Sequence, residues 1–177
     1  QADLTFLFRL EPWLAPGTPW TAALAGKKVL VIHPFEHTIQ EQYKKREQIF
    51  PDSEILPKFE LKTLKAVQTL CGEKDDRFMT WFDALDYMYE RAIDIDFDVA
   101  IIGCGAYGMP LASKLKNAGK QAIHLGGATQ LLFGIKGYRW ENNYPTKIAT
   151  FFNDAWAKAL AEETPKNAST VEKGCYW

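Results

Sequence analysis

The chain has 177 residues, of which 47% are hydrophobic and 24% charged, and its formal net charge is −1. That much apolar material excludes an intrinsically disordered chain and suffices for one domain with its own core. Interspersed acids and bases offer no basic face for nucleic acid, and no apolar run approaches the roughly 20 residues of a membrane-spanning helix.

Residues 4–8 form a short apolar run, and APGTPW reads as loop. Residues 19–24 suit a brief helix ended by Gly26. KKVLVI, residues 27–32, is a buried strand bounded by Gly26 and Pro34. Phe35, Ile39, Tyr43 and Phe50 then fall near helical spacing and predict a helix over 36–49. Pro51 and Pro57 interrupt the chain, and FELKTLKAV alternates well enough for a strand over 59–67. Phe78, Trp81, Phe82, Leu85, Met88, Tyr89 and Ile93 mark an amphipathic helix, with Trp81 in its core stripe. Residues 99–102 are a second buried strand, 109–117 a helix closed by Gly119, and 121–125 a third core strand. A helix follows Gly127, another covers 145–161, and residues 162–177 read as a polar tail. Strands alternating with helices predict a single α/β domain over 1–177, a three-layer sandwich with a mainly parallel sheet. In such a sheet the strand-to-helix turns, and the ligands, gather at the carboxyl edge.

One such turn is DVAIIGCGAYG, in which Gly103, Gly105 and Gly108 spell G-x-G-x-x-G after a strand and before a helix. Unpaired amides at the helix start can hold a phosphate when no side chain intrudes, and Ala106 and Tyr107 lie within the same turn. The alternative is that the glycines serve only the geometry of the turn. A nicotinamide dinucleotide would require an acid about 20 residues further on. The next strand leads instead to His124, Gly126 and Gly127, which disfavours an NAD(P)-dependent oxidoreductase.

All three histidines, His33, His37 and His124, fall at predicted carboxyl ends. His33 to His37 spells H-x-x-E-H, but Pro34 and the preceding strand take His33 off the helix on which a zinc peptidase needs both imidazoles. Asp94, Asp96 and Asp98 precede their strand and belong at the amino edge, and Asp52–Ser53–Glu54 lies in a loop. No metal ligands are therefore assigned within the chain. Cys71, Cys104 and Cys175 form no CxxC pair or disulfide framework, which points to a reducing cytoplasm, and Cys104 is read as a small residue that fits its turn. Trp13, Trp20, Trp140, Trp156 and Trp177 lie in loops or near helix ends, where an indole can stack on a sugar or a base, but most are assigned to packing or subunit contacts, consistent with a homo-oligomer.

Several segments, among them KKVLVIHPFEHTIQEQYKKREQIFP, WFDALDYMYE, DFDVAIIGCGAYGMPLASKLKNAGKQAIHLGGATQLLFGIKGYRW and the terminal GCYW, resemble an uncharacterised group of bacterial proteins associated with surface-polysaccharide gene clusters. The strand, glycine turn, helix, K-x-A-I-H-L-G and later R-W are similar to the C-terminal half of GT-D-type glycosyltransferases. That resemblance implies a Rossmann-like fold, a nucleotide-sugar donor, a saccharide acceptor and a divalent metal, Mg²⁺ or Mn²⁺, on an N-terminal Asp-x-Glu. Asp52–Glu54 stands in a different context, so either the ligands lie upstream of Gln1, in a longer protein, or the chemistry differs. The implied nucleotide- and phosphate-binding residues are His33, Gly103, Gly105, Ala106, Tyr107, Gly108, His124, Gly126, Gly127, Gln130 and Arg139. Arg46 and Lys44 are alternative phosphate partners, with Lys44 preferred as a solvated side chain, and Glu36 or His37 is the candidate base for the acceptor hydroxyl. The competing function is a noncatalytic interaction or regulatory domain beside a polysaccharide enzyme.

Overall fold

Four short apolar segments pair side by side in a computed structural model that describes residues 6–69, 74–143, 147–170 and 173–177. They are β1 (Lys28–His33), β2 (Glu60–Lys65), β3 (Val99–Ile102) and β4 (Gln121–His124), all parallel, in the order β2-β1-β3-β4. The central β1 pairs with β2 from Lys28↔Glu60 to His33↔Lys65 and with β3 from Val29↔Val99 to Ile32↔Ile102. Successive side chains leave opposite faces of a strand, and here both faces are covered. Val29, Val31, Val99 and Ile101 pack with α1 (Glu36–Tyr43) and α5 (Ala128–Leu132). Leu30, Ile32, Ala100 and Ile102 pack with α3 (Trp81–Ile93) and α4 (Gly108–Asn117). The result is a Rossmann-like three-layer α/β sandwich.

The order of the strands fixes where a ligand can enter. From β1 the chain steps outward to β2, then crosses back over β1 to β3 and onward to β4. This reversal leaves a crevice outside the carboxyl ends of β1 and β3, where no crossover covers the sheet.

The helix expected over 36–49 is split. It ends at Tyr43, whose ring stacks on Phe59 at 4.6 Å and whose hydroxyl both receives the Phe59 N–H (2.6 Å) and donates to the Phe59 carbonyl (2.8 Å). The chain resumes as one turn, α2 (Arg46–Ile49), which buries Ile49. The helix expected over 145–161 is absent where it is described; residues 145 and 146 lie outside the described residues. Lys147–Phe151 is a 3-10 turn, and Ala157 then bridges Ile135 in parallel, with its N–H on the Gly134 carbonyl (3.0 Å) and its own carbonyl receiving the Lys136 N–H (2.7 Å). Pairing with a distant strand-like segment here overrides local helical propensity.

In α3 the buried stripe consists of Ala84, Leu85, Met88 and Ala92, whereas Trp81 and Phe82 at its start are 37% and 67% exposed. A capping box fixes that start: the Thr80 hydroxyl accepts the Asp83 N–H (3.2 Å) and the Asp83 carboxylate accepts the Thr80 N–H (2.7 Å). Residues 162–177, expected as a polar tail, include buried Glu163, Ala168 and Cys175 and return to the sheet edge. Asp96 and Asp98 hold Lys28 at the amino edge, the first by an ion pair and the second by accepting the Lys28 N–H (2.8 Å). Among the described residues no helix is long and apolar enough to cross a membrane.

Candidate functional site

A cavity of about 430 Å³ occupies the β1/β3 crevice. Its walls come from the turns after all four strands and from the end of the chain: His33 and Phe35, Val67 to Thr69, Gly103 to Tyr107, His124 with Gly126 and Gly127, and Tyr176 with Trp177. None of the described lining residues is Asp, Glu, Lys or Arg.

His33 is the last residue of β1 and is only 4% exposed. The Phe35 N–H donates to its Nδ1 at 3.0 Å, which places the proton of the neutral ring on Nε2. Burial drives its pKa down to about 3, so the ring is uncharged at neutral pH. Nε2 has no partner among the described residues, and the ring lines the cavity as a neutral donor. His124 is also held below the usual histidine range by burial, and its Nδ1 is buried with no hydrogen-bond partner among the described residues.

The three glycines of the turn have different tasks. A Cβ on Gly103 would stand 2.7 Å from Cδ2 of His33 and 2.6 Å from Oγ1 of Thr129. One on Gly108 would stand 2.1 Å from Nδ1 of His124. Both positions are therefore emptied to seat an imidazole. Gly105 has open space but a φ of +56°, the left-handed conformation that glycine adopts without penalty. Around it Gly103 N–H bonds Ile32 O (2.9 Å), Tyr107 N–H bonds Cys104 O (3.2 Å) and Gly108 N–H bonds Gly105 O. The exposed N–H groups of Gly105 and Ala106 are left without an acceptor among the described residues, just ahead of α4. Cys104 is buried and its thiol is pushed up to about 12, so it is inert.

Most of the aromatic wall was not legible in the sequence. Trp81 lies parallel to Tyr107 and lines the cavity, so it belongs to the site and not to the core stripe. Tyr176 and Trp177 close another side. Gln130 donates to the Tyr176 carbonyl (3.0 Å), Tyr138 N–H to the Trp177 carbonyl (3.2 Å) and Arg139 N–H to the Cys175 carbonyl (3.1 Å). Gly137 permits this approach, since a Cβ there would be 2.9 Å from the Tyr176 carbonyl.

Of the residues expected at the site, His33, Gly103, Gly105, Ala106, Tyr107, His124, Gly126, Gly127 and Gln130 line the cavity, and Gly108 lies beneath His124. Gln130 acts there as a strut for the chain end. Arg139 does not line the cavity; its guanidinium sits over the Tyr176 ring at 5.3 Å. Glu36 and His37 also lie outside it. The Glu36 carboxylate accepts the Thr63 hydroxyl (2.9 Å), while His37 is exposed and its N–H bonds Glu163 (2.7 Å). Arg46 and Lys44 pair with Glu47 and Glu41 on the surface. Trp81 and Tyr176 are additions, and Trp177 is the one of the five indoles weighed for stacking that lines the cavity; the T-x-x-D box that opens at Thr80 and the terminal aromatic pair were the traces of the additions in the sequence.

The residues present do not fit the implied divalent metal. No carboxylate lines the cavity among the described residues, and none of their His, Cys, Asp and Glu side chains form a group of three suited to a metal. Asp52 and Glu54 line a separate surface cleft with Trp13 and Pro19. Comparison with known protein families, curated proteins and solved structures finds no match to this chain.

Proposed function

We propose that the β1/β3 cavity binds a nucleotide sugar, and that the chain is a glycosyltransferase-like domain of bacterial surface-polysaccharide biosynthesis, acting in the cytoplasm. The observation that carries this reading is the convergence of the Gly105 and Ala106 amides, the His33 Nε2–H and the Trp81–Tyr107 stack on one switch-point cavity. Phosphate oxygens accept from neutral donors at a helix start, and a base or sugar ring supplies a face for the indole. The resemblance supplies the polysaccharide context.

Thermal-shift measurements with UDP-, GDP-, CMP- and dTDP-sugars, with and without Mn²⁺, test the proposal. A ligand at 100 times its Kd stabilises the fold by about 2.7 kcal/mol, which is several degrees in Tm for a chain of this size. One sugar nucleotide should give that shift. A flat response across the panel, including the native full-length chain, overturns the reading.

A noncatalytic interaction domain is favoured by a different observation. No Asp or Glu side chain lines the cavity as a base among the described residues, and Met79, Phe82 and Met109, close in sequence to Trp81 and Tyr107, are 98%, 67% and 69% exposed. Co-purification with a second protein or a second copy of the chain, without any nucleotide-induced shift, would decide for it.

A further inference from the structure

We propose that His124 is the base that takes the proton from the acceptor hydroxyl, while His33 serves the same cavity as a donor to the phosphate. The assignment rests on the nucleotide-sugar reading of that cavity. Among the described residues that line it, imidazole is the side chain able to take up a proton near neutral pH. Glu36 and His37, the bases expected from the sequence, lie outside it.

The two rings are held differently. At His33 the Phe35 N–H occupies Nδ1 (3.0 Å), so Nε2 carries the proton and the ring has no free lone pair. It can only donate, as a phosphate oxygen requires. At His124 it is Nδ1 that is buried, against Gly108. Nε2 keeps accessible surface beside Gly126, where an added Cβ would stand 3.9 Å from it, and Gly126 lines the cavity. His124 ends β4 in register with Ile102 of β3, and the turn that follows Ile102 carries the Gly105 and Ala106 amides. Adjacent strands lie about 4.8 Å apart, so the base and the amides stand within reach of one small molecule.

In this role the neutral ring keeps its proton on Nδ1 and offers the Nε2 lone pair. The acceptor oxygen bonds the anomeric carbon as its proton passes to Nε2. The bond from that carbon to the phosphate oxygen breaks, and its electron pair stays with the nucleotide. The negative charge gained there falls to the Gly105 and Ala106 amides and the His33 Nε2–H. The imidazolium then gives its proton to water. Burial keeps the ring neutral at the start; the Ile102 carbonyl acts in the opposite sense and favours the imidazolium once it has formed.

The test uses the full chain, the sugar nucleotide that raises Tm, and water as the acceptor, with nucleotide release followed by chromatography. His124→Gln keeps a polar side chain that cannot take up a proton, so it should bind the donor within about threefold of the native chain and lose about 100-fold or more in kcat. His124→Ala leaves the seat above Gly108 empty, and added imidazole should recover about tenfold or more of the loss. A nitrogen NMR spectrum of the native chain at pH 7 should show His124 protonated on Nδ1 and bare on Nε2, a readout that needs neither variant nor ligand. The opposite tautomer, undiminished release in both variants, a loss that imidazole does not repair, or a Tm shift without any release by the native chain overturns this inference and leaves the nucleotide-sugar reading standing. A flat response to every sugar nucleotide overturns both.

Discussion

The indole of Trp81 and the phenol ring of Tyr107 stack with centroids 4.8 Å apart and planes 5° from parallel, joining the start of α3 to the glycine turn. Tyr107 is buried at 7% exposure while Trp81 is 37% exposed and lines the cavity, so the tyrosine backs an indole that stays partly open, with Phe82 edge-on to it at 5.2 Å. Trp81→Ala removes that indole. The expected outcome is a loss of ligand affinity of about 1–3 kcal/mol, the usual worth of one stacked ring, with a stability cost of about 1 kcal/mol from the lost aromatic pair. Titration calorimetry with the sugar nucleotide that shifts Tm, beside urea unfolding, measures the two effects separately.

Gly105→Ala and Gly108→Ala separate conformation from packing. At Gly105 the added methyl meets nothing, and only the left-handed backbone is penalised, by about 1 kcal/mol; Gly105→Asn should recover part of it. At Gly108 the methyl would overlap His124, so the ring must leave its seat at a cost of about 1–3 kcal/mol. The His124 resonances in an imidazole NMR spectrum should move in Gly108→Ala and stay in place in Gly105→Ala.

His33 gives the fold a pH dependence whose sign is fixed. Its folded pKa of about 3 lies below the unfolded value of 6.5, so between these values the unfolded chain binds the proton and the folded chain does not. Stability therefore falls as pH drops from about 6.5 toward 3, by about 1.4 kcal/mol per pH unit from this residue. Urea unfolding at pH 7 and pH 5 should show the loss, and His33→Gln should flatten this part of the slope.

Glu163 ties the C-terminal segment to α1 across 125 residues of sequence, through two N–H groups and the Thr38 hydroxyl. Glu163→Ala leaves the buried Thr38 donors and the part-buried His37 N–H without that partner and should cost about 1–3 kcal/mol. Limited proteolysis should then cut the C-terminal segment first, well before the sheet is attacked, and Glu163→Gln should show a milder form of both effects.

The two central strands were legible because buried parallel strands are written as short continuous apolar runs ended by glycine or proline, as in VLVI before His33–Pro34 and VAII before Gly103, whereas the edge strand β2 showed itself by alternation. The carboxyl edge was legible as well, since alternating elements dictate where turns fall, and His33, Gly103 and His124 follow from that rule alone. What sequence could not supply was the direction of each side chain after its strand. Glu36 and His37 leave β1 on the same edge as His33, yet α1 begins at once and turns them toward Thr63 and Glu163. Likewise the 3.6-residue period cannot tell a ring packed in the core from a ring packed at a cavity, which is why Trp81 looked like the neighbours of Met88. The role of Tyr176 and Trp177 depends on contacts with Gln130 and Tyr138, some 40 residues away, for which no local pattern exists.

The wall made by Tyr176 and Trp177 gives the cavity a say over a distant stretch of chain. An occupant that touches both these rings and the turns after β1 and β3 ties residues 173–177 to the centre of the sheet, so filling the cavity should slow proteolysis of that stretch as well as raise Tm.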